Sequence, residues 1–95
     1  MTEYHKAEWI DYDGYPTDGC LEKIRNWDIL DFEGLAEFCH QLWNYEDYTK
    51  WDGKVWEVST GGWSGHEDII SSLPHLWKAM FKATWRRGGH YTFKR

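Results

Sequence analysis

The sequence predicts an α+β fold in one small domain, residues 1–95, with the order α-α-β-α-β and a small sheet covered by a long kinked helix. Apolar residues recur at helical spacing across 35–43, whereas 54–59 and 90–94 alternate apolar and polar side chains as strands do. The length is enough for a single hydrophobic core. Residues 1–16 carry a weaker pattern and are expected to form a loosely attached strand or arm.

Two helices are predicted in the first half of the chain. Thr17 or Asp18 can cap the first helix, which is too short to be stable without a neighbour. The second begins after Asp31, whose carboxylate can accept a hydrogen bond from a free backbone amide of the first turn. The buried face of this second helix has one apolar stripe, formed by Leu35, Phe38, Cys39, Leu42 and Trp43.

A strand and a glycine-rich loop come next. The strand at 54–59 follows a tight turn and places Trp56 and Val58 on one face. After the loop, Ser64 and Glu67 match the S-x-x-E capping box, so we expect a helix to begin at Ser64.

That third helix is expected to span residues 64–86, either as one helix kinked at Pro74 or as two abutting helices. Arg86 and Arg87 would complement its negative C-terminal end, and the two glycines that follow would supply a left-handed C-cap. A final strand is predicted at 90–94.

The net charge of −5 hides an asymmetry that bears on partners. Residues 1–52 hold 13 acidic and 4 basic residues, whereas residues 53–95 hold 3 acidic and 7 basic ones. The acidic excess argues against nucleic-acid binding. The acidic half can attract a basic protein surface, and the alternative is charge that serves only solubility. The chain has no apolar run of about 18 residues and no signal-like N-terminus, so we expect a cytoplasmic protein without a membrane span. Cys20 and Cys39 are accordingly expected to be buried free thiols.

The glycines of the loop lie between a strand and a helix, as in loops that hold phosphate through backbone amides. The alternative is a turn that needs glycine only for its backbone conformation, since the lysine of a nucleotide-binding P-loop is missing and Glu67 and Asp68 occupy the first helical turn. Basic residues beyond the third helix can add charge to the loop. The candidate ligand-binding residues are Ser59, Thr60, Gly61, Gly62, Trp63, Ser64, Gly65, His66, Arg86, Arg87 and His90.

Other chemistry has little support in the sequence. Its cysteines and histidines lack the spacings of zinc sites, and it has no nucleophile elbow of the G-x-S-x-G type. We therefore predict no metal, no cofactor and no enzymatic activity.

Aromatic residues are unusually abundant, with 8 Trp, 6 Tyr and 4 Phe. A core of this size holds about ten such rings, each of which buries about 150–250 Å². Exposed tyrosine and tryptophan side chains are typical interface anchors, and Tyr45, Tyr48 and Trp51 are the candidates for partner binding. The alternative is that the rings only fill the core.

Two segments, STGGWSG-x-E at 59–67 and RRGGHY-x-F at 86–93, resemble those of small uncharacterised proteins from tailed bacteriophages. The similarity covers most of residues 17–94. It implies a phage accessory protein in the cytoplasm of the host cell. This chain departs from that pattern with His66, where an amide side chain is expected, and with Pro74 in the long helix.

Three functions remain open from the sequence. The first is a phage accessory protein that binds a protein partner, such as a host or defence factor, through an aromatic and acidic surface. The alternative is a binder of a small phosphate-bearing or nucleotide-like ligand at the glycine-rich loop. The third is a structural or self-assembling module, which includes a homo-oligomer.

Overall fold

The computed structural model describes residues 9–11, 13–43 and 46–95 and confirms the α+β class. The order is corrected, because the described residues contain two more strands and one more helix than predicted. In chain order the elements are α1 (Asp18–Arg25), α2 (Phe32–Leu42), a 3-10 turn (Glu46–Tyr48), β1 (Thr49–Trp51), β2 (Val55–Ser59), α3 (Ser64–Ser72), α4 (His75–Phe81), β3 (Lys82–Arg86) and β4 (His90–Lys94).

The four strands form one antiparallel sheet in the order β1-β2-β4-β3. Trp56, Val58 and Phe93 point to one face and are buried in the core, where Phe93 packs against Trp77 of α4 with ring centroids 5.2 Å apart. Side chains at the alternate positions of β2 and β4 face away from the core and are exposed, as at Glu57 and His90, or half-buried, as at Ser59 and Thr92. The sheet therefore has a covered apolar face and an open polar face.

Both predicted helix caps in the first half are confirmed. The Thr17 hydroxyl accepts a hydrogen bond from the Cys20 amide at 3.2 Å, and the Asp31 carboxylate accepts one from the Gly34 amide at 3.0 Å. Cys39 is fully buried within the α2 stripe, as is Cys20 in α1. Both cysteines are free thiols.

Only part of the predicted N-terminal arm can be placed, because residues 1–8 and 12 lie outside the described residues. Trp9 packs edge-on against Phe38 of α2, with ring centroids 5.7 Å apart. Ile10 forms an isolated antiparallel bridge with Pro16.

Of the two alternatives for residues 64–86, two abutting helices are confirmed as far as Phe81, whereas one kinked helix that continues to residue 86 is wrong. Pro74 separates α3 from α4, and residues 82–86 form β3, which pairs with β4. Gly88 and Gly89 have φ angles of 94° and 81° and lie in the turn of this hairpin, so they are not a helix C-cap. Trp85 continued the helical spacing of α4, but the strand pairing across the glycine turn outweighs that local pattern.

The predicted capping box is also wrong. Trp63 occupies the N-cap position of α3, without a side-chain cap, and Ser64 is the first helical residue. The Ser64 hydroxyl instead donates a hydrogen bond to the Tyr15 hydroxyl at 3.1 Å. The helix thus begins one residue earlier than a box with Ser64 as N-cap would place it. The Trp63 ring packs back over Gly65 and His66.

In the part of the chain that the structure describes, every helix is too short or too polar to cross a membrane.

Candidate functional site

The open face of the sheet carries a groove of about 480 Å³. The 3-10 turn, all four strands and both glycine-containing turns contribute to it. Its lining consists of Asp47, Tyr48, Thr49, Lys50, Glu57, Val58, Ser59, Gly61, Thr84, Arg86, Gly88, His90, Tyr91 and Thr92.

Strand register brings three of the predicted ligand-binding residues into one row across the sheet. Ser59 of β2 is the cross-strand partner of His90 in β4, and His90 is the partner of Arg86 in β3. The Thr60 amide donates a hydrogen bond to the Gly89 carbonyl at 3.0 Å, which joins the glycine-rich loop to the β3–β4 turn. The sequence did not show whether these two segments lie close together, and this hydrogen bond shows that they do.

Tyr48 closes the groove on the β1 side. Its ring lies against Gly61, which has a φ of 64°, and a Cβ atom at that position would come within 2.5 Å of the ring. Glycine at 61 is therefore needed both for its backbone conformation and for the close approach of the tyrosine.

The charges of the groove are separated along its length. Lys50 of β1 and Glu57 of β2 are direct cross-strand partners, so opposite charges lie side by side at one end. At the other end, Arg86 has no ion pair within the described part of the chain. A salt bridge is formed there by Arg95 and Glu33, at 3.0 Å. The Arg86 end consequently carries uncompensated positive charge.

Behind the glycine-rich loop lies His66, which is fully buried. Its ring stacks on Trp43, with centroids 4.3 Å apart, and its Nδ1 donates a hydrogen bond to the Thr60 carbonyl at 3.1 Å. Burial lowers the pKa of His66 and outweighs the opposite effect of this hydrogen bond. His66 thus supports the loop from the core side and does not line the groove.

The other predicted loop residues also lie outside the groove lining. Thr60 is buried, Gly65 lies beneath the Trp63 ring, and Trp63 packs against Tyr15 with centroids 4.7 Å apart. Gly62 and Ser64 are exposed and, like Arg87, are not part of the lining.

The three aromatic residues predicted to anchor a partner do not form one surface. Tyr45 lies outside the described residues. Tyr48 lines the groove, whereas Trp51 packs on the opposite face of the sheet against Phe32 of α2, with ring centroids 5.8 Å apart. The large exposed apolar side chains include Leu76, Met80 and Trp85, which the sequence analysis did not select.

The described residues offer little for metal or thiol chemistry. They contain no group of three His, Cys, Asp or Glu side chains that could hold a metal ion. Burial raises the pKa of Cys20 to about 11 and that of Cys39 well above its ordinary value, so both are protonated at neutral pH.

The polar groove residues that were not selected from the sequence include Asp47, Thr49, Lys50, Glu57, Thr84 and Thr92. Lys50, Glu57, Thr84 and Thr92 occupy polar positions of strands in which apolar and polar side chains alternate. Such a position indicates solvent exposure as readily as a binding site.

The fold and the groove define a small α+β protein with an open, polar sheet face. Comparisons with family models, curated proteins and solved structures find no match to this chain.

Proposed function

We propose that this protein is a non-enzymatic binding protein whose open groove holds a small, phosphate-bearing organic ligand of nucleotide-like size. The observation that carries this proposal is the row formed by Ser59, His90 and Arg86 at the end of the groove where no carboxylate neutralises the arginine. A groove of about 480 Å³ is within the usual range for small-molecule sites.

Each member of the row can supply a donor to an anion. The Arg86 guanidinium matches the geometry of phosphate oxygens and can donate two parallel hydrogen bonds. The Ser59 hydroxyl accepts a hydrogen bond from the Gly61 amide at 3.3 Å, which leaves its own proton available for a ligand. The His90 imidazole has an N–H group in either charge state.

The rest of the groove suits an organic group with polar edges. Tyr48 is 44% exposed and offers part of its ring for stacking on a planar group. Lys50 and Glu57 lie further along the sheet and present one donor and one acceptor group. A ligand with phosphate at the Arg86 end and a planar polar group toward Tyr48 would use both regions.

Binding should be tested with inorganic phosphate, ribose 5-phosphate, the nucleoside 5′-monophosphates and the matching unphosphorylated nucleosides. A ligand present at a hundredfold excess over its dissociation constant should stabilise the fold by about 2.7 kcal/mol, which thermal melts detect and calorimetry confirms.

Two adjacent arginines provide a matched pair of variants. Arg86→Ala should weaken binding by about tenfold to a hundredfold, because a charged hydrogen-bond donor is lost. Arg87→Ala should leave affinity unchanged, since Arg87 is exposed but does not line the groove. Equal loss in both variants, or stabilisation by none of the phosphorylated compounds, would contradict the proposal.

The phage relationship and the cytoplasmic location stay predictions from the sequence. The same holds for a host or defence factor as partner, whose predicted aromatic anchors lie on opposite faces of the sheet or outside the described residues.

A further inference from the structure

The outer edge of the sheet at β3 is unusually open. β3 pairs only with β4 among the described strands, and all five of its residues are exposed. Trp85 is 57% exposed on this strand, and Met80, just before it in α4, is 49% exposed. An exposed edge strand presents unpaired backbone N–H and C=O groups, which can pair with another strand.

This edge belongs to the C-terminal part of the chain, in which the charged side chains are basic. After Asp68 the chain contains no acidic residue and six basic ones: Lys78, Lys82, Arg86, Arg87, Lys94 and Arg95. Arg95 is paired with Glu33, whereas Lys82 and Arg86 on β3 have no ion pair within the described residues. Burial lowers the pKa of Lys78, and the charge of Lys82, four residues further along, lowers it further.

We propose that the free edge of β3 binds an extended acidic segment of a partner protein, which joins the sheet as a fifth strand. Backbone hydrogen bonds to the edge would supply affinity, as in other strand-addition complexes. On the helix side of the sheet, an acidic side chain would lie beside Lys82 and an apolar side chain on the same face of the added strand would cover the exposed part of Trp85. A further acidic side chain on the other face would lie beside Arg86.

A second copy of this chain fits the edge less well. Pairing two β3 strands would bring together Lys82, Arg86 and Arg87 of both copies, and residues 69–95 have no carboxylate to neutralise them. Nucleic acid would satisfy the positive charge but not the backbone edge, and the net charge of −5 opposes its approach.

The proposed edge is separable from the groove. Lys82 and Trp85 are the cross-strand partners of Phe93 and Tyr91, so they lie on the helix side of the sheet. Neither lines the groove, whereas Arg86 does. Substitution of Lys82 or Trp85 therefore tests the edge without altering the phosphate site.

The test uses the full chain and an array of peptides about six residues long, the usual length of a strand. The peptides combine Glu or Asp with Val, Ile, Leu, Phe or Tyr and place an acidic and an apolar residue two positions apart, so that both can face the side of the sheet that carries Lys82 and Trp85. One control series replaces the acidic residues by Ser. A second keeps every side chain but carries N-methyl groups on all backbone amides, which blocks both edges of the peptide and prevents strand pairing. An oligothymidylate strand tests for nucleic-acid binding. Sedimentation measures self-association of the protein.

We expect the array to yield acidic binders, and we expect N-methylation or serine replacement to abolish their binding. Lys82→Glu should weaken these binders by about tenfold, because an exposed attraction becomes a repulsion. Trp85→Ser should weaken them as well. The matched control Lys54→Glu, in the exposed turn before β2, should not. Hydrogen exchange of the β3 amides should slow on binding.

The proposal is overturned if the array gives no acidic binder, or if N-methylated peptides bind equally well. It is also overturned if oligothymidylate binds through Lys82, or if the chain dimerises through Trp85. Far-ultraviolet circular dichroism and a thermal melt of each variant show whether lost binding reflects lost folding, and a variant that fails to fold is replaced by Trp85→Thr or Lys82→Gln.

Discussion

Lowering the pH is expected to destabilise this fold through His66. The side chain is fully buried, stacked between Trp43 and the edge of Trp63, and its pKa lies below the ordinary value because burial disfavours the charged ring. In the unfolded chain the same histidine titrates near 6.5 and so takes up a proton first as the pH falls. The unfolded state then binds more protons than the native state, and acid favours unfolding.

The magnitude follows from this difference in bound protons. Between the unfolded pKa and the lower native pKa, one histidine removes at most about 1.4 kcal/mol from the free energy of unfolding per pH unit. Its contribution is fully present above pH 6.5 and is lost as the pH falls toward the native pKa. His40, whose pKa burial also lowers, adds a change of the same sign. The two histidines must therefore be separated by mutation.

His66→Asn is the informative variant, because the Asn amide nitrogen can replace Nδ1 as the donor to the Thr60 carbonyl. Urea melts from about pH 8 to pH 5 would give the free energy of unfolding for wild type and variant. The variant should be less stable at pH 8, by about 1–3 kcal/mol, because the ring stack on Trp43 is lost. Its stability should then depend less steeply on pH below 6.5 than that of the wild type.

The exposed His75 supplies the control, and His75→Asn should keep the wild-type slope. If wild type and His66→Asn lose stability in parallel between pH 6.5 and pH 5, burial of His66 does not govern the acid sensitivity and the reasoning fails.

Three further outcomes are expected. Asp31→Ala should lower stability by about 1 kcal/mol in denaturant melts, because the Gly34 amide at the start of α2 loses its acceptor; no change would contradict the cap. Cys20 and Cys39 should react with a thiol reagent slowly in the native state and rapidly in urea, and fast native labelling would contradict their burial. Gly89→Ala should be clearly more destabilising than Gly62→Ala in thermal melts. Both glycines have positive φ, but only at 89 would a Cβ atom meet the Thr60 side chain, so equal losses would leave backbone strain as the sole cause.

Local signals were sufficient for several elements. Helix α2 was predicted because its apolar stripe and its cap at Asp31 act within a few residues of each other. The strand Val55–Ser59 was equally clear, since alternation of buried and exposed side chains is a property of the strand itself. The burial of Cys39 followed from its position in the helical stripe.

Other elements depended on contacts between distant parts of the chain. Residues 82–86 continue the apolar spacing of α4, and only their pairing with β4 makes them a strand. His66 was predicted as a ligand-binding residue of the glycine-rich loop, but the stack on Trp43, more than twenty positions earlier, holds it in the core. Neither partner is visible in a local window of sequence.

For the candidate site too, some features could be predicted from the sequence and others depended on the tertiary structure. The sequence by itself selected Arg86, His90 and Ser59 as residues with suitable chemistry, and it selected Arg87 for the same reason. Strand register decided which of them share the groove, because side chains two apart along a strand share a face while neighbours alternate. That register depends on the glycine turn and on the buried faces of β2 and β4, which are properties of the packed sheet.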